Sequence, residues 1–452
     1  MNGVFQASGP SSFGDGTATI ANAGTILVNP GGAAPATVAF GGVSSLANAG
    51  SIDLRNGHVG DKLTVTGAYV GSGGATLGVD VGPNSTSDTL VTSGPATGQT
   101  TVVATGLNGG LVNGAVVVAS GAGSTSGAFQ LPGRIQQVAL TDYAIAFNPS
   151  NNQFAIFGTP DVGAVAPIAL IDGARQIFYR GNDAVDDHMD EARIDREVWL
   201  QAFGSQDTRQ ATFNATPLGV SRDYDVGTSQ YFAGLQGGVD LLTTSAGSAV
   251  GATGGYVFSR ASLLASPGRG DFNAYNGGLY GRLVAGAFWI DGLVKYEHVT
   301  IDYSTPGYTG HTSGDSYGGR VSATAMLGTI DGLSVQPFGA LDYEHLNLGA
   351  ISLAGYTGTF DAGDGFRAKA GIRVVHPVAW TDYQAQFYAS GAVVHDFAGH
   401  QDSLSLANSG LVVAFQTPQA LTYEQVRLGM DVTPRTACAW LCRDHRRPQL
   451  AL

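Results

Sequence analysis

Few residues in this chain have the types and spacing that chemistry needs. Gly314-Asp315-Ser316, followed by Gly318-Gly319, sets a serine among glycines, where a hydroxyl could serve as a nucleophile. Such a serine needs a base, and the base needs an orienting acid. His311 is too near in sequence to be an obvious base, and the segment falls where a strand begins. No catalytic residue is assigned, and the chain is not read as an enzyme. Cys438 and Cys442, its two cysteines, stand at Cys-x-x-x-Cys spacing, with only His445 close by. A zinc site would need a second pair of ligands. No metal site and no cofactor are therefore expected.

The composition narrows the alternatives. Only 13% of the 452 residues are charged, 43% are hydrophobic and 67 are glycine. Disordered chains are charge-rich and apolar-poor, so general disorder does not fit. Glycine with abundant Thr, Ser, Val and Tyr suits β-structure joined by tight turns. The formal net charge is −13, and no basic cluster precedes the final residues, so no nucleic-acid partner is expected. No run of roughly 20 apolar residues offers a membrane-crossing helix. If the chain enters a membrane, a closed barrel is the remaining way to satisfy its backbone. The N-terminal segment Met1 to Pro10 has no basic start and no apolar core of a signal peptide. The expectation is that the chain starts inside a longer precursor.

Four segments follow from the pattern. Residues 1–160 read as short strands separated by Gly, Asn and Ser. Within them Ile20-Ala21-Asn22-Ala23-Gly24-Thr25-Ile26 recurs as Leu46-Ala47-Asn48-Ala49-Gly50-Ser51-Ile52, the mark of a solenoid whose coils stack. Residues 143–147 and 153–157 read as a hairpin. Residues 161–196 lose the strand pattern and carry mixed charge, including Arg175, Arg180, Asp187, Asp190, Glu191 and Arg193, with no proline after Pro167. This is a charged helix with Gly173 and Gly181 as weak points. From 197 to 432 the pattern is strand, turn, strand with a period of two. About ten strands are counted, near 197–204, 231–242, 248–259, 273–285, 287–301, 315–327, 333–345, 365–376, 383–396 and 422–432.

Several of these strands are cleanly two-faced. Asp291, Lys295 and Glu297 share one face, as do Gln336, Asp342 and Glu344. The same holds for Arg367, Lys369 and Arg373, and for Gln425, Arg427 and Asp431. Aliphatic and aromatic residues alternate with each set. Charges of both signs on one face suit a hydrated lumen, with the apolar face toward lipid. Trp199, Tyr231, Tyr256, Trp289 and Trp380 lie near strand ends, as an aromatic girdle would need. His298, His345, His376 and His395 read as lumen or rim residues.

A family resemblance covers most of the chain. Leu63 to Tyr69, Ala75 to Asp80, Asp88-Thr89-Leu90 and Gly94 to Val102, in that order, resemble the end of an autotransporter passenger, the last coils of a right-handed β-helix. Val198 to Gly204, Phe232 to Asp240, Pro337 to Tyr343 and Arg427 to Met430 resemble strands of the autotransporter β-domain. The resemblance implies an all-β chain: a β-helix end with a hairpin that helps it fold, a helix running through the pore, and an antiparallel transmembrane barrel. It further implies an outer-membrane translocator of type V secretion that exports or displays its own passenger at the cell surface. Its partners would be outer-membrane lipid, the outer-membrane assembly machinery, periplasmic chaperones and its own passenger segment. A second reading is a surface adhesin or structural protein whose β-helix stub binds a partner. Asn151-Asn152 resembles the self-cleaving pair of some members. That pair lies in the pore helix, whereas this one lies in a hairpin turn and the helix offers Asn182-Asp183, so no cleavage is assigned. Family barrels have twelve strands, so about ten of twelve are counted here. The alternation stops after Val432, and the tail 433–452 holds both cysteines and no terminal aromatic. On this reading the chain is expected to come from a disrupted reading frame and to leave its barrel incomplete.

Overall fold

The computed structural model describes residues 2–190, 198–330, 332–379, 383–397, 402–416 and 421–434. Short strands from Val4 onward stack in parallel into three ladders, one strand of each per coil. Ile26, Ile52, Leu77 and Val102 fall in register on successive coils, and all are fully buried. Each coil thus covers the apolar side chain of the one before it, which no single coil could do alone. The sequence repeat has its cause here: Ile20 pairs with Leu46 and Asn22 with Asn48. Asn22 Nδ2 donates to Asn48 Oδ1 at 2.8 Å, and Asn48 Nδ2 to the Tyr69 hydroxyl at 3.1 Å. That hydroxyl lies 2.7 Å from Thr100 Oγ1, so a polar chain runs up the buried interior. Gly24 and Gly50 are required because a Cβ on Gly50 would lie 2.1 Å from the Gly24 carbonyl oxygen.

The solenoid ends in an antiparallel hairpin, Thr141–Asn148 and Gln153–Pro160. Its second strand pairs antiparallel with Val112–Ala119, so the edge of the last large coil is covered. Asp161 then caps a helical turn by accepting from the Ala164 amide at 2.9 Å. After a short 3-10 turn the chain enters α1, Ala169–Asp190. Among the described residues no helix is long and apolar enough to cross a membrane.

Ten antiparallel strands surround α1. They are β1 (Val198–Arg209), β2 (Thr228–Thr243), β3 (Ala249–Leu263), β4 (Arg269–Ala285) and β5 (Phe288–Thr305), then β6 (Tyr308–Ala325), β7 (Leu333–Leu348), β8 (Gly363–Ala379), β9 (Tyr383–Phe397) and β10 (Leu421–Pro434). Each pairs with the next in sequence order, and among the described residues β1 and β10 share no ladder. One end of the sheet has tight turns, such as the one between Ala285 and Phe288. The other carries long hairpins. Thr212–Ala215 with Arg222–Asp225 forms one, and four strands from the β7–β8 and β9–β10 connections form a separate sheet. Short turns at one end and long loops at the other are the asymmetry of outer-membrane barrels.

Three sequence expectations need correcting. Strands run from 12 residues in β1 to 18 in β5, longer than the counted segments. Glycines and polar tips blur the alternation at the ends, although pairing continues there. β10 extends to Pro434, so residues 433 and 434 belong to the barrel; residues 435–452, on which the disrupted-frame expectation rests, lie outside the described residues. Trp199 and Trp289 are 6% and 8% exposed and point inward, so they are not girdle residues. Trp199 stacks on His188 of α1 at 4.2 Å and donates to the Tyr280 hydroxyl at 2.8 Å. Trp380 lies outside the described residues.

Candidate functional site: a charged lumen filled by a helix

The helix that fills the lumen is held differently at its two ends. Its first half carries the apolar contacts: with Ile168 of the preceding 3-10 turn, Ile171 and Ile177 share one core with Phe272, Val257, Val299 and Ile301 of the wall. Gly173 sits where the helix passes close to the wall, since a Cβ there would lie 2.7 Å from the Phe272 ring. Its second half is anionic, and the wall facing it is cationic.

Asp183 is the centre. Its carboxylate receives Arg320 Nη2 at 2.6 Å, Lys369 Nζ at 2.8 Å, Gln425 Nε2 at 3.2 Å and Arg367 Nη2 at 3.4 Å. Asp342 on β7 completes the cluster, taking Arg320 Nε at 2.9 Å, Arg367 Nε at 3.1 Å and Asn182 Nδ2 at 3.0 Å. One turn on, Asp186 accepts from Arg320 Nη1 at 3.1 Å and Ser322 Oγ at 2.7 Å. Asp187 accepts from the Tyr388 hydroxyl at 3.1 Å and from Arg427. Buried charges are tolerated only when paired and hydrogen-bonded, and these are.

The remaining inward residues bind the helix or one another. Lys295 Nζ donates to the Phe178 carbonyl at 2.6 Å and lies 3.4 Å from Glu297. Glu344 accepts from Ser316 Oγ at 2.6 Å. Asp291 is paired with Arg282 at 2.7 Å, and Gln336 donates to Ser334 at 3.3 Å. Arg373 lies over the Tyr388 ring at 4.0 Å. Nearer the mouth, Arg175 meets Asp402 at 2.6 Å and also donates to the Ala362 carbonyl, while Arg180 meets Asp207 at 2.6 Å. Asp190 ends the helix and Asp431 sits in β10, but neither side chain is described; Glu191 and Arg193 lie outside the described residues.

Sequence reasoning missed Arg320, Arg282, Asp183 as a hub, Asp186, Asp207 and Arg209. Arg209 bridges Asp172 of the helix at 3.0 Å and Asp396 at 3.1 Å. For Arg320 the signal was present: Ser316, Arg320, Ser322 and Thr324 alternate with Tyr317 and Val321. The serine of Gly314-Asp315-Ser316 faces inward to Glu344, whereas Asp315 faces outward to His298. The two point to opposite sides of the sheet and form no joint site. His298 and His345 also face outward, each beside a carboxylate, and not into the lumen. Asn151 sits in the hairpin turn, bonded to Gln153 at 3.0 Å. The outer face is apolar: Val426 and Leu428 are 78% and 79% exposed.

Such an arrangement positions a segment of chain inside a pore by charge; it carries no bond-making constellation among the described residues. At the mouth the long hairpins meet the solenoid. The Tyr356 hydroxyl lies 2.5 Å from Thr141 Oγ1, Arg222 meets Asp142 at 2.8 Å, and the Tyr224 hydroxyl donates to the Pro160 carbonyl at 3.0 Å.

Comparison with known proteins bears on this architecture. Residues 198–436, more than half of the chain, match the family model described as the autotransporter beta-domain. Over 119 residues the chain is 35% identical to the uncharacterized protein YuaQ of Escherichia coli K12, covering 25% of this chain and 9% of that one. Over 61 residues it is 44% identical to the probable autotransporter YfaL of the same organism, covering 13% of this chain and 5% of that one. The chain thus spans less than a tenth of the length of these curated relatives. Among solved structures, the translocator domain of autotransporter NalP from Neisseria meningitidis aligns with 58% of this chain and 97% of its own, at a TM-score of 0.40 and 16% identity. The chain belongs to the autotransporter β-domain family, the outer-membrane barrels that serve as translocators in type V secretion.

Proposed function

We propose that the barrel exports the segment that precedes it and then holds that segment at the cell surface. In this reading residues 2–160 are the membrane-proximal end of a passenger. α1 is the stretch left in the lumen when movement stops, and the long hairpins seat the solenoid on the mouth. The observation that carries the reading is the placement of α1. It leaves the solenoid at the long-hairpin end and runs the lumen toward the short-turn end, where β1 begins. The passenger's own activity is a separate matter, since the relatives extend far beyond the matched length. Outer-membrane lipid, the assembly machinery and periplasmic chaperones are the partners this route requires.

A second reading, display of a solenoid that itself binds a partner, is favoured by the Thr141–Tyr356 and Asp142–Arg222 contacts. They fasten the solenoid to the barrel. Both readings share one test. Cysteines placed at Ser126, exposed on the solenoid, and at Ser245, exposed in the β2–β3 turn, are labelled with a membrane-impermeant maleimide on intact cells. Label at 126 and none at 245, above the wild-type level, supports export in this orientation. Equal labelling, or label at 245 alone, overturns it.

A further inference from the structure

The two outer strands of the sheet, β1 and β10, line a common seam. Among the described residues neither has a second partner strand, so their outer rows of amide and carbonyl groups point into that seam. Hydrocarbon cannot satisfy such groups, whereas a water-filled cleft can. A cavity of about 400 Å³ follows the seam, lined by Gln201 to Asp207 of β1 and Tyr423 to Met430 of β10. Each stretch approaches the about 9–11 residues that a strand needs to cross a membrane. The volume far exceeds the roughly 10–15 Å³ that a single water needs.

Strand alternation makes the lining polar on its lumen side. Gln201, Ser205, Tyr423 and Gln425 lie on the inward phase, and a side-chain oxygen of each has no hydrogen-bond partner among the described residues. Gln425 is only 8% exposed, so its carbonyl oxygen is both buried and unpaired. On the lipid side Ala202, Val426 and Leu428 form apolar lips. α1 supplies the third wall. It is bonded to Asp207 of β1 through Arg180 at 2.6 Å, and to Gln425 of β10 through Asp183 at 3.2 Å. The helix thus anchors both edges, which share no backbone ladder among the described residues. Near the long-hairpin end a side chain crosses the seam: the Arg209 guanidinium of β1 lies 5.0 Å from the centre of the Tyr423 ring of β10. Asp172 and Asp396 fix it there.

We propose that the seam is a water-filled side path that conducts small ions while α1 occupies the lumen, with Arg209 as its gate at the long-hairpin end. The path rests on the family's placement of the barrel in a membrane and is independent of what is exported. The test uses the full chain carrying Cys438→Ser and Cys442→Ser, reconstituted into planar bilayers in potassium chloride. The expected result is a small, steady conductance. The probe is a cationic methanethiosulfonate reagent, which lipid excludes, added to the bath. It should react with Ser205→Cys and lower the conductance several-fold. It should leave Ser322→Cys, which faces Asp186 from β6 away from the seam, unreacted. Arg209→Ala should raise the conductance several-fold, and Arg209→Lys by less. No conductance above a bare bilayer, an unreactive Ser205→Cys, or equal block from both cysteines would overturn the proposal. The second outcome means that chain or lipid covers the seam, and the third that ions pass elsewhere around the helix. Should Arg209→Ala not fold, the two cysteines still decide. Block at Ser205→Cys in a chain that fails the surface-labelling test would sink the export reading alone.

Discussion

Lys295, on the barrel wall, donates its ammonium proton to the main-chain carbonyl of Phe178, inside the helix, at 2.6 Å. The contact is possible because residue 181, one turn on, is glycine: a Cβ there would lie 2.5 Å from the Lys295 nitrogen. The glycine that weakens the helix in isolation is the one that lets the wall grip it. Lys295→Met should remove the grip and leave Glu297 buried without its cation. The expected cost is about 3–5 kcal/mol, the range for breaking one half of a buried pair. A lowered temperature for the heat-dependent gel shift of the folded chain would show it; an unchanged temperature would contradict it.

Asp183 and Asp186 lie on the same face of α1 but are unequal. Three cationic side chains and one amide hydrogen-bond to Asp183, with Arg180 3.6 Å away, whereas Asp186 has Arg320 and Ser322. Asp183→Asn should therefore be much the more damaging, again by about 3–5 kcal/mol, because it strands Lys369 and leaves Arg320 and Arg367 to share Asp342. Asp186→Asn leaves Arg320 with Asp183 and Asp342. Planar-bilayer conductance is a second measure: the first variant should leak, and the second should stay close to wild type. Equal leakage would refute the ranking.

The solenoid should respond to pH through Asp88. Its carboxylate is pushed up to about 6 by burial, aided by the charge of Asp80 and only partly offset by the amides of Gly60, Asp61 and Asp80. A raised folded value means that the native state binds the proton more tightly than the unfolded chain. The associated stability is fully present below about 4 and is lost as pH rises through about 6. Melting of the solenoid, followed by circular dichroism, should fall between pH 5 and 7, and the slope should flatten in Asp88→Asn. A slope of opposite sign would exclude Asp88 as its source.

The seat of the solenoid on the mouth is also testable. Tyr356→Phe deletes the hydroxyl that meets Thr141, a net loss of about 0.5–1.5 kcal/mol. Arg222→Ala removes the partner of Asp142. Together they should expose the 161–168 connection to added protease on intact membranes while the barrel keeps its gel shift. If cleavage stays at the wild-type rate, these contacts do not hold the solenoid.

How much of this was legible beforehand depended on whether a residue's position is set by its own strand or by a crossing element. The faces of β5 and β8 could be read because charged residues keep to alternate positions, Asp291, Lys295 and Glu297 in one and Arg367, Lys369 and Arg373 in the other, broken only by Leu293 and Gly371. Arg320 was overlooked although Ser316, Ser322 and Thr324 share its face, because Gly318-Gly319 interrupts the alternation just before it. The solenoid repeat was visible since Asn22 and Asn48 must sit at the same place in adjacent coils. The pairing of Asp183 was not, since its partners come from β6, β8 and β10 and are chosen by the rotation of α1 within the lumen. Trp199 misled because its position near a strand end suits the girdle, whereas its ring is taken by His188. The loop sheet containing Tyr356 was hidden for a simpler reason: its four short strands pair across two different connections.

If the chain is exported as proposed, the three aspartates at 183, 186 and 187 act as a brake. On the proposed route the chain before it offers Arg320, Arg367, Lys369 and Arg427 only isolated carboxylates, such as Asp142, Asp161 and Asp172, never three within one turn. Only when the anionic turn arrives does a deep well appear, and it is one residue wide, because a shift of 1.5 Å rotates every carboxylate away from its cation. The stopping point is therefore written in the cargo's own last turn, as a charge pattern that the barrel recognises once.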